Sequence, residues 1–461
     1  MIQSLRAPRK RSSPLLHDDF FNQLRDREYS RLSRNNHIYL DYTGGGLYAE
    51  SQITSHQRML VDNVFGNPHS SNPTSQYATD LVAEARAEVL KYFNAPDYCC
   101  IFTSNASGAL KIVGECYPFC SDSHFLLLSD NHNSVNGIRE YCRTHKGNFT
   151  YSRIQYEDLM VDREDLEKNL NASLDCKHKL FAMPAQSNVT GVRHDLGWVD
   201  YAQERGWDVL LDAAAYVPTS RLDLTQVRPQ FVSISFYKIF GYPTGLGCLL
   251  VRNDVLNKLQ KRWFAGGTVS LVSVLAPYHF LASGNERFEN GTVNYLDIPA
   301  IKIGLDFINK IGIDRLHERI SALADYLTKE LKGLKYASGA SVVRIFGPED
   351  RAFTGGTIVM AFFNKDGSPI PFEEIQNRSN KKNISIRSGC FCNPGIDEIN
   401  NCITSEELST YFTSRESGDY HDMIKFLHKM RGAVRVSVGI ATTKQDLDEF
   451  IQFVKSSAGI S

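Results

Sequence analysis

Two charged residues stand directly behind apolar runs: Asp212 after Val209-Leu-Leu, and Lys238 after Val232-Ser-Ile-Ser-Phe-Tyr. A side chain at the carboxyl end of a buried strand points into the crevice where α/β sheets take their ligands. A lysine amine there could hold an aldehyde as an imine, and a nearby carboxylate could keep a ring nitrogen protonated. Pyridoxal phosphate requires both. Asp and Lys near strand ends are also ordinary surface residues, so this spacing alone leaves both readings open. The thiols of Cys390-Phe-Cys392 offer either a reactive nucleophile or an inert core pair. C-x-C with distant Cys402 and His421 is not a zinc-finger spacing, so no metal site is expected. Arg435, in Val434-Arg-Val-Ser437, reads on its own as a solvent-facing arginine on an edge strand.

Positioning such groups takes a sheet. From Ile38 to about Val251, short apolar runs alternate with amphipathic stretches, as in an α/β fold. Phe125–Leu128, Leu180–Met183, Val209–Leu211, Val232–Ser235 and Gly247–Val251 read as buried strands of a mostly parallel sheet. Ser75–Phe93, with Leu81, Ala85 and Val89 four apart, reads as a helix. After Gly291 the pattern turns α+β. A long helix carries Leu316, Ile320, Leu323, Leu327 and Leu331 on one side. Strands follow at Val342–Phe346, Thr357–Phe363, Ile384–Arg387 and Val434–Val438, with helices at Phe372–Arg378 and Thr443–Val454. The polar stretch from about Cys392 to Lys429 is expected to be a long loop. The predicted organisation is a tail and lead-in over 1–36, a large α/β domain over 37–300, and a small α+β domain over 301–461.

The 461 residues exceed what one hydrophobic core usually organises, which fits two domains. Lys and Arg number 51 against 52 Asp and Glu, without the clustered basic excess of a nucleic-acid binder. No apolar run has bilayer-spanning length, so no membrane partner is expected. Ten cysteines without pairing rhythm or a preceding secretory signal point to a reducing compartment, and a cytoplasmic protein is expected. The basic stretch Met1–Ser13 is expected to be a disordered tail, with organelle targeting as the alternative.

Longer stretches carry a resemblance. These are Tyr39-Leu-Asp-Tyr, Phe65-Gly-Asn-Pro-His-Ser70, Phe102-Thr-Ser-Asn-Ala-Ser107, Leu211-Asp-Ala-Ala214, the run from Ser235 to Gly247, Asn290-Gly-Thr292 and Arg387-Ser-Gly-Cys-Phe-Cys-Asn-Pro-Gly395. In this order, from about Phe20 to Val454, the chain resembles the class V aminotransferases. It is most similar to the N-terminal cysteine-desulfurase domain of molybdenum cofactor sulfurases. The resemblance implies fold type I, an aspartate-aminotransferase-like α/β domain with a smaller α+β domain, and pyridoxal 5'-phosphate held on Lys238 with Asp212 at the ring nitrogen. Ala106, Ser107 and Ser235 then match phosphate contacts, and Thr292 matches a threonine that reaches the phosphate of a neighbouring subunit, implying a homodimer. His132 matches the residue stacked on the ring, and Asn188 one near the ring hydroxyl and the substrate. Two positions depart from the pattern: Tyr237 stands where a histidine is usual, and Ala215 where the desulfurases keep a glutamine. Arg435 matches the clamp on the substrate carboxylate, with Arg387 a weaker candidate. In that family the nucleophile lies on a loop five residues after an arginine, so the resemblance implies Cys392, counted from Arg387, with Cys390 a bystander or relay.

The implied activity is removal of sulfur from L-cysteine or a related substrate, leaving alanine and a Cys392 persulfide for a sulfur acceptor. Within the same group a C–S lyase acting on a cysteine conjugate, a transaminase or an epimerase stays open. The reading from a different class is an idle, cofactor-binding partner protein.

Overall fold

Runs such as Phe125-Leu-Leu-Leu128 are apolar on both faces, which suits strands covered by helices on each side. The structure, a computed structural model, describes residues 16–172, 175–429 and 432–460. In it the strands β1 (Tyr98–Thr103), β2 (Ser123–Leu128), β3 (Asn148–Ser152), β4 (His178–Pro184), β5 (Asp208–Asp212), β6 (Phe231–Ser235) and β7 (Gly247–Arg252) form one seven-stranded sheet. Their order is β1-β7-β6-β5-β4-β2-β3, parallel except for β7, which runs against both neighbours. The sequence reading missed β1 and β3. The latter is an edge strand whose polar residues leave it half-exposed, so it lacks the apolar run that marks its neighbours.

Helices start where the sequence supplies a cap. Asn72 accepts from the Ser75 N–H ahead of helix Pro73–Tyr92, which buries Ala78, Val82, Ala85 and Val89, with Leu81 half-buried beside them. Asn105 accepts from the Gly108 N–H ahead of helix Ala106–Cys116.

Four strands, β8 (Val343–Phe346), β9 (Thr357–Phe363), β10 (Arg387–Gly389) and β11 (Ala433–Ser437), make a smaller antiparallel sheet in the order β8-β9-β11-β10, with Pro369–Ile370 paired to β9. Helix Ile313–Gly333 buries the leucine stripe expected of it. Two expectations are corrected. Ile384–Arg387 is not one strand: Ile384–Ser385 pairs in parallel with Ile38–Tyr39, and Arg387 begins β10. The polar stretch after Cys392 is not a loop but three short helices, Pro394–Asn400, Ser405–Thr413 and Tyr420–Leu427. Each is capped by an Asn, Thr or Asp side chain, and with so few buried residues their apolar periodicity is too weak to read.

The expected tail Met1–Ser13 lies outside the described residues. The lead-in behind it is helical over Asp19–Glu28, and Arg25 pairs with Asp446 at 2.7 Å at the start of helix Lys444–Ala458. Residue 300 falls inside helix Ile298–Ile311, which packs on helices Pro73–Tyr92 and Glu50–Asp62. No helix among the described residues is long and apolar enough to cross a membrane.

Candidate active site

The ends of β4, β5 and β6 and the turn after β1 meet around a cavity of about 140 Å³. Ala106, Ser107, His132, Asn188, Asp212, Ala215, Ser235, Tyr237 and Lys238 all line it, so nine positions singled out in the sequence converge. At one end, helix Ala106–Cys116 begins at the cavity, and the positive end of its dipole there suits a phosphate. The Ala106 N–H donates to the Ser235 hydroxyl at 2.9 Å, and the Ser107 and Ser134 hydroxyls are 2.6 Å apart.

Asp212 closes β5, where Oδ1 accepts from the Ser233 hydroxyl at 2.9 Å and the Ala214 N–H at 3.1 Å. Lys238 sits on the short helix Phe236–Phe240 that follows β6. Burial draws its pKa below that of an ordinary lysine; Asp212 opposes this shift, and Arg435 and Arg387 add to it. His132 caps the next helix through Nδ1, which accepts from the Ser134 N–H at 3.1 Å and therefore carries no proton. Burial lowers its pKa too, against the pull of Asp212, so the imidazole is neutral with its hydrogen on Nε2. Burial pushes the Tyr237 phenol upward, so it stays a hydrogen-bond donor.

Arg435 and Arg387 lie beyond this cavity's lining and meet at Asp41. Arg387 donates from Nε at 2.9 Å and from Nη2 at 2.7 Å to Oδ2, and Arg435 donates from Nη2 to Oδ1 at 2.9 Å. Arg435 also donates from Nη1 to the Asn188 carbonyl at 2.7 Å, while its buried Nε has no hydrogen-bond partner. Two guanidiniums share one carboxylate, leaving the cluster one negative charge short, which suits an incoming carboxylate. Asp41 lies inside the Tyr39-Leu-Asp-Tyr stretch, but nothing local to it announces an ion pair with residues 346 and 394 positions away. The Asp41 and Arg435 side chains are 12% and 3% exposed, so water screens the pair little. Asp41→Asn is expected to cost about 3 kcal/mol of stability by stranding a buried guanidinium, read from urea unfolding. A loss within the ~1 kcal/mol typical of surface pairs would refute the buried-pair account.

The cysteine loop is pinned over the cavity's edge. Phe391 and Cys392 both take φ +56, a left-handed pair that non-glycine residues hold only under external restraint. The restraints are visible: Asn188 Nδ2 donates to the Phe391 carbonyl at 2.8 Å, and the Asn133 N–H to the Cys392 carbonyl at 2.7 Å. Asn393 donates to Asp130 at 2.6 Å and to Asn188 Oδ1 at 3.1 Å, and buried His194 and Ser187 also bond Asp130. A side chain on Gly395 would place its Cβ 2.0 Å from the Ser129 carbonyl, so only glycine lets the loop seat this closely. Cys392 is exposed and outside the cavity lining; Cys390 is half-buried and lines a separate cavity of about 230 Å³ with Phe391 and Phe372. Thr292 is also outside, where its hydroxyl accepts from Asn67 Nδ2 at 3.4 Å. Sequence reading missed Asp130, Asn133, Ser134, Gln186 and Asn393; the Asn393-Pro-Gly395 cap was the one visible cue.

The donor set fits pyridoxal phosphate. A helix N-terminus with two hydroxyls suits the phosphate, Asp212 suits a protonated ring nitrogen, and desolvated Lys238 suits an aldehyde. Among the described residues no cluster of His, Cys, Asp and Glu could hold a metal ion.

The family model described as aminotransferase class-V matches residues 38–450. The molybdenum cofactor sulfurase of Homo sapiens is 37% identical over 458 residues, covering 94% of this chain and 51% of that protein. The chain spans about half the length of the curated relatives it matches. A cysteine desulfurase from Thermococcus onnurineus NA1, solved in its apo form, superposes with a TM-score of 0.79 at 21% identity, over 95% of this chain and 98% of that one. A cystine C–S lyase in complex with its product cysteine persulfide gives 0.71 at 16% identity, over 93% and 99%. Both likenesses establish the fold.

Proposed function

The chain belongs to the aminotransferase class V family, and from that premise we propose that it is a pyridoxal-phosphate enzyme that takes sulfur from L-cysteine and hands it to an acceptor. One residue carries the reading. Asn188 lines the Lys238 cavity, holds Arg435 through its carbonyl, and holds the cysteine loop through its amide. Cofactor seat, carboxylate clamp and nucleophile loop are thereby joined at one point.

Bound on Lys238, the cofactor supplies an electron sink that makes a substrate α-proton removable. Arg435, its Nε unmatched, takes the substrate carboxylate and orients the α-carbon. Lys238, easier to deprotonate than a free lysine, receives the α-proton. Asp212 holds the ring end, and neutral His132 covers the cavity as a donor at Nε2. The Cys392 thiolate attacks the substrate sulfur; the S–S bond forms as the C–S bond breaks, and that bond's electron pair stays on carbon. The β-carbon takes up a proton, Lys238 returns the α-proton, alanine is released, and Cys392 keeps a persulfide whose outer sulfur passes to an acceptor thiol by exchange.

Incubation with L-cysteine tests the reading: alanine supports it, and pyruvate with ammonia overturns it. One observation favours the second reading, a C–S lyase: neither Cys390 nor Cys392 lines the cavity, and elimination needs no protein thiol. The setting proposed for the chain is a reducing, cytoplasmic one, the reading given by ten cysteines without pairing rhythm.

The working unit in this proposal is a homodimer with shared sites. Leu271, Val272, Tyr278 and Phe280 on and beside the hairpin formed by Val269–Val272 and His279–Leu281 are exposed, as are Val274 and Leu275 at its tip. Such a patch is what a subunit interface would cover, and the turn before the hairpin meets the one before Thr292, where the Gly291 N–H donates to the Gly266 carbonyl at 2.8 Å. Mixing Lys238→Ala with Thr292→Ala chains is then expected to restore activity, because each heterodimer holds one intact site. Activity of the mixture no higher than the average of the two parents would contradict shared sites.

A further inference from the structure

Gln186 follows β4 and is 3% exposed. Its side chain lines the Lys238 cavity, with Nε2 donating to the Ala215 carbonyl at 2.9 Å. That bond orients the amide, since the flipped form would face one acceptor with another. Oε1 is buried without a hydrogen-bond partner, and Nε2 retains a second hydrogen. Gly355 shapes the seat: a side chain there would bring a Cβ within 2.3 Å of Oε1. A buried amide left half-satisfied is costly unless a ligand completes it.

The sheet order says which ligand atom that is. Phosphate donors lie after β1 and at the end of β6, Asp212 ends β5, and Gln186 follows β4 on the opposite flank. In pyridoxal phosphate the phosphate arm and the phenolic oxygen lie on opposite sides of the line from aldehyde carbon to ring nitrogen. With the phosphate toward β6, the aldehyde at Lys238 and the nitrogen at Asp212, the phenolic edge falls on the β4 flank.

We propose that Gln186 is the positioning residue that hydrogen-bonds the phenolic oxygen of the cofactor; this rests on the pyridoxal-phosphate reading above. Nε2 donates to the oxygen when it is charged, and Oε1 accepts when it is protonated. Donation stabilises the charged oxygen, so losing the amide raises the proton affinity of the oxygen and its neighbouring imine nitrogen. The titratable and charged groups facing the site, Asp212, neutral His132, Tyr237, Lys238, Arg435 and the Asp41–Arg387 pair behind it, stay unchanged.

The test is a spectrophotometric pH titration of holoprotein reconstituted with pyridoxal phosphate. Gln186→Ala is expected to move the midpoint of the visible band upward by about one pH unit, the scale of one hydrogen bond to a charged group. The double variant Gln186→Ala/Ala215→Gln regrows an amide from the residue whose carbonyl Gln186 touches, and is expected to return the midpoint toward wild type. A wild-type midpoint in Gln186→Ala overturns the proposal, as does a shifted midpoint that Ala215→Gln leaves unmoved, because a merely structural role would produce it. If wild type forms no visible band that Lys238→Ala abolishes, the cofactor reading itself falls, and this inference with it.

Discussion

Lys238→Ala is expected to lower turnover of L-cysteine by roughly 10⁴-fold or more, because one amine both anchors the cofactor and moves the α-proton. The fold should survive. Burial holds the Lys238 pKa below its unfolded value, so near neutral pH its charge opposes folding, and the opposition fades only as pH rises past the folded pKa. Removing it leaves stability near neutral pH unchanged or higher. Two measurements separate lost chemistry from lost structure. Borohydride reduction of the wild-type holoprotein should label the peptide bearing Lys238, and the variant should no longer exchange the substrate α-hydrogen with deuterated solvent. A label on another lysine would remove Lys238 from the mechanism.

Cys392→Ser should halt the reaction later. Deuterium exchange at the α-carbon continues, since the cavity residues are untouched, while alanine release falls by about 10³-fold because a hydroxyl cannot accept sulfur as a persulfide. Cys390→Ser should keep most of the activity, as that thiol faces the other cavity. After one turnover of wild type, one extra sulfur is expected on the peptide carrying Cys392. Undiminished turnover by Cys392→Ser would instead select the lyase, in which the substrate expels its own thiol.

Strands flanked by helices were legible as apolar runs, and the residues at their ends could be named because parallel sheets place function at carboxyl ends. That is why Asp212 and Lys238 stood out with no knowledge of the fold. Partnerships between distant segments were not legible. Asp41 has no local pattern that predicts Arg387 and Arg435, and Asn188, expected near the ring hydroxyl and the substrate, lines the cavity but also holds the cysteine loop through its amide. Gln186 was passed over because a glutamine beside a serine and an asparagine reads as loop; only burial against Ala215 and Gly355 gives it a task. The helices after Pro394 were hidden for the converse reason, their polar surfaces carrying little periodicity.

The pairing of Arg25 with Asp446 has a consequence for how the chain is made. These residues are 421 positions apart, so at ribosomal speeds helix Asp19–Glu28 waits tens of seconds for the segment it packs against. Ile38–Tyr39 waits in the same way for Ile384–Ser385. The large sheet, complete once β7 has emerged, needs neither. During synthesis the nascent chain therefore carries helix Asp19–Glu28 with Arg25 unpaired, although Glu28 already accepts from the Ser51 N–H at 3.0 Å. The helix can complete its packing on the small domain only after Asp446 has emerged.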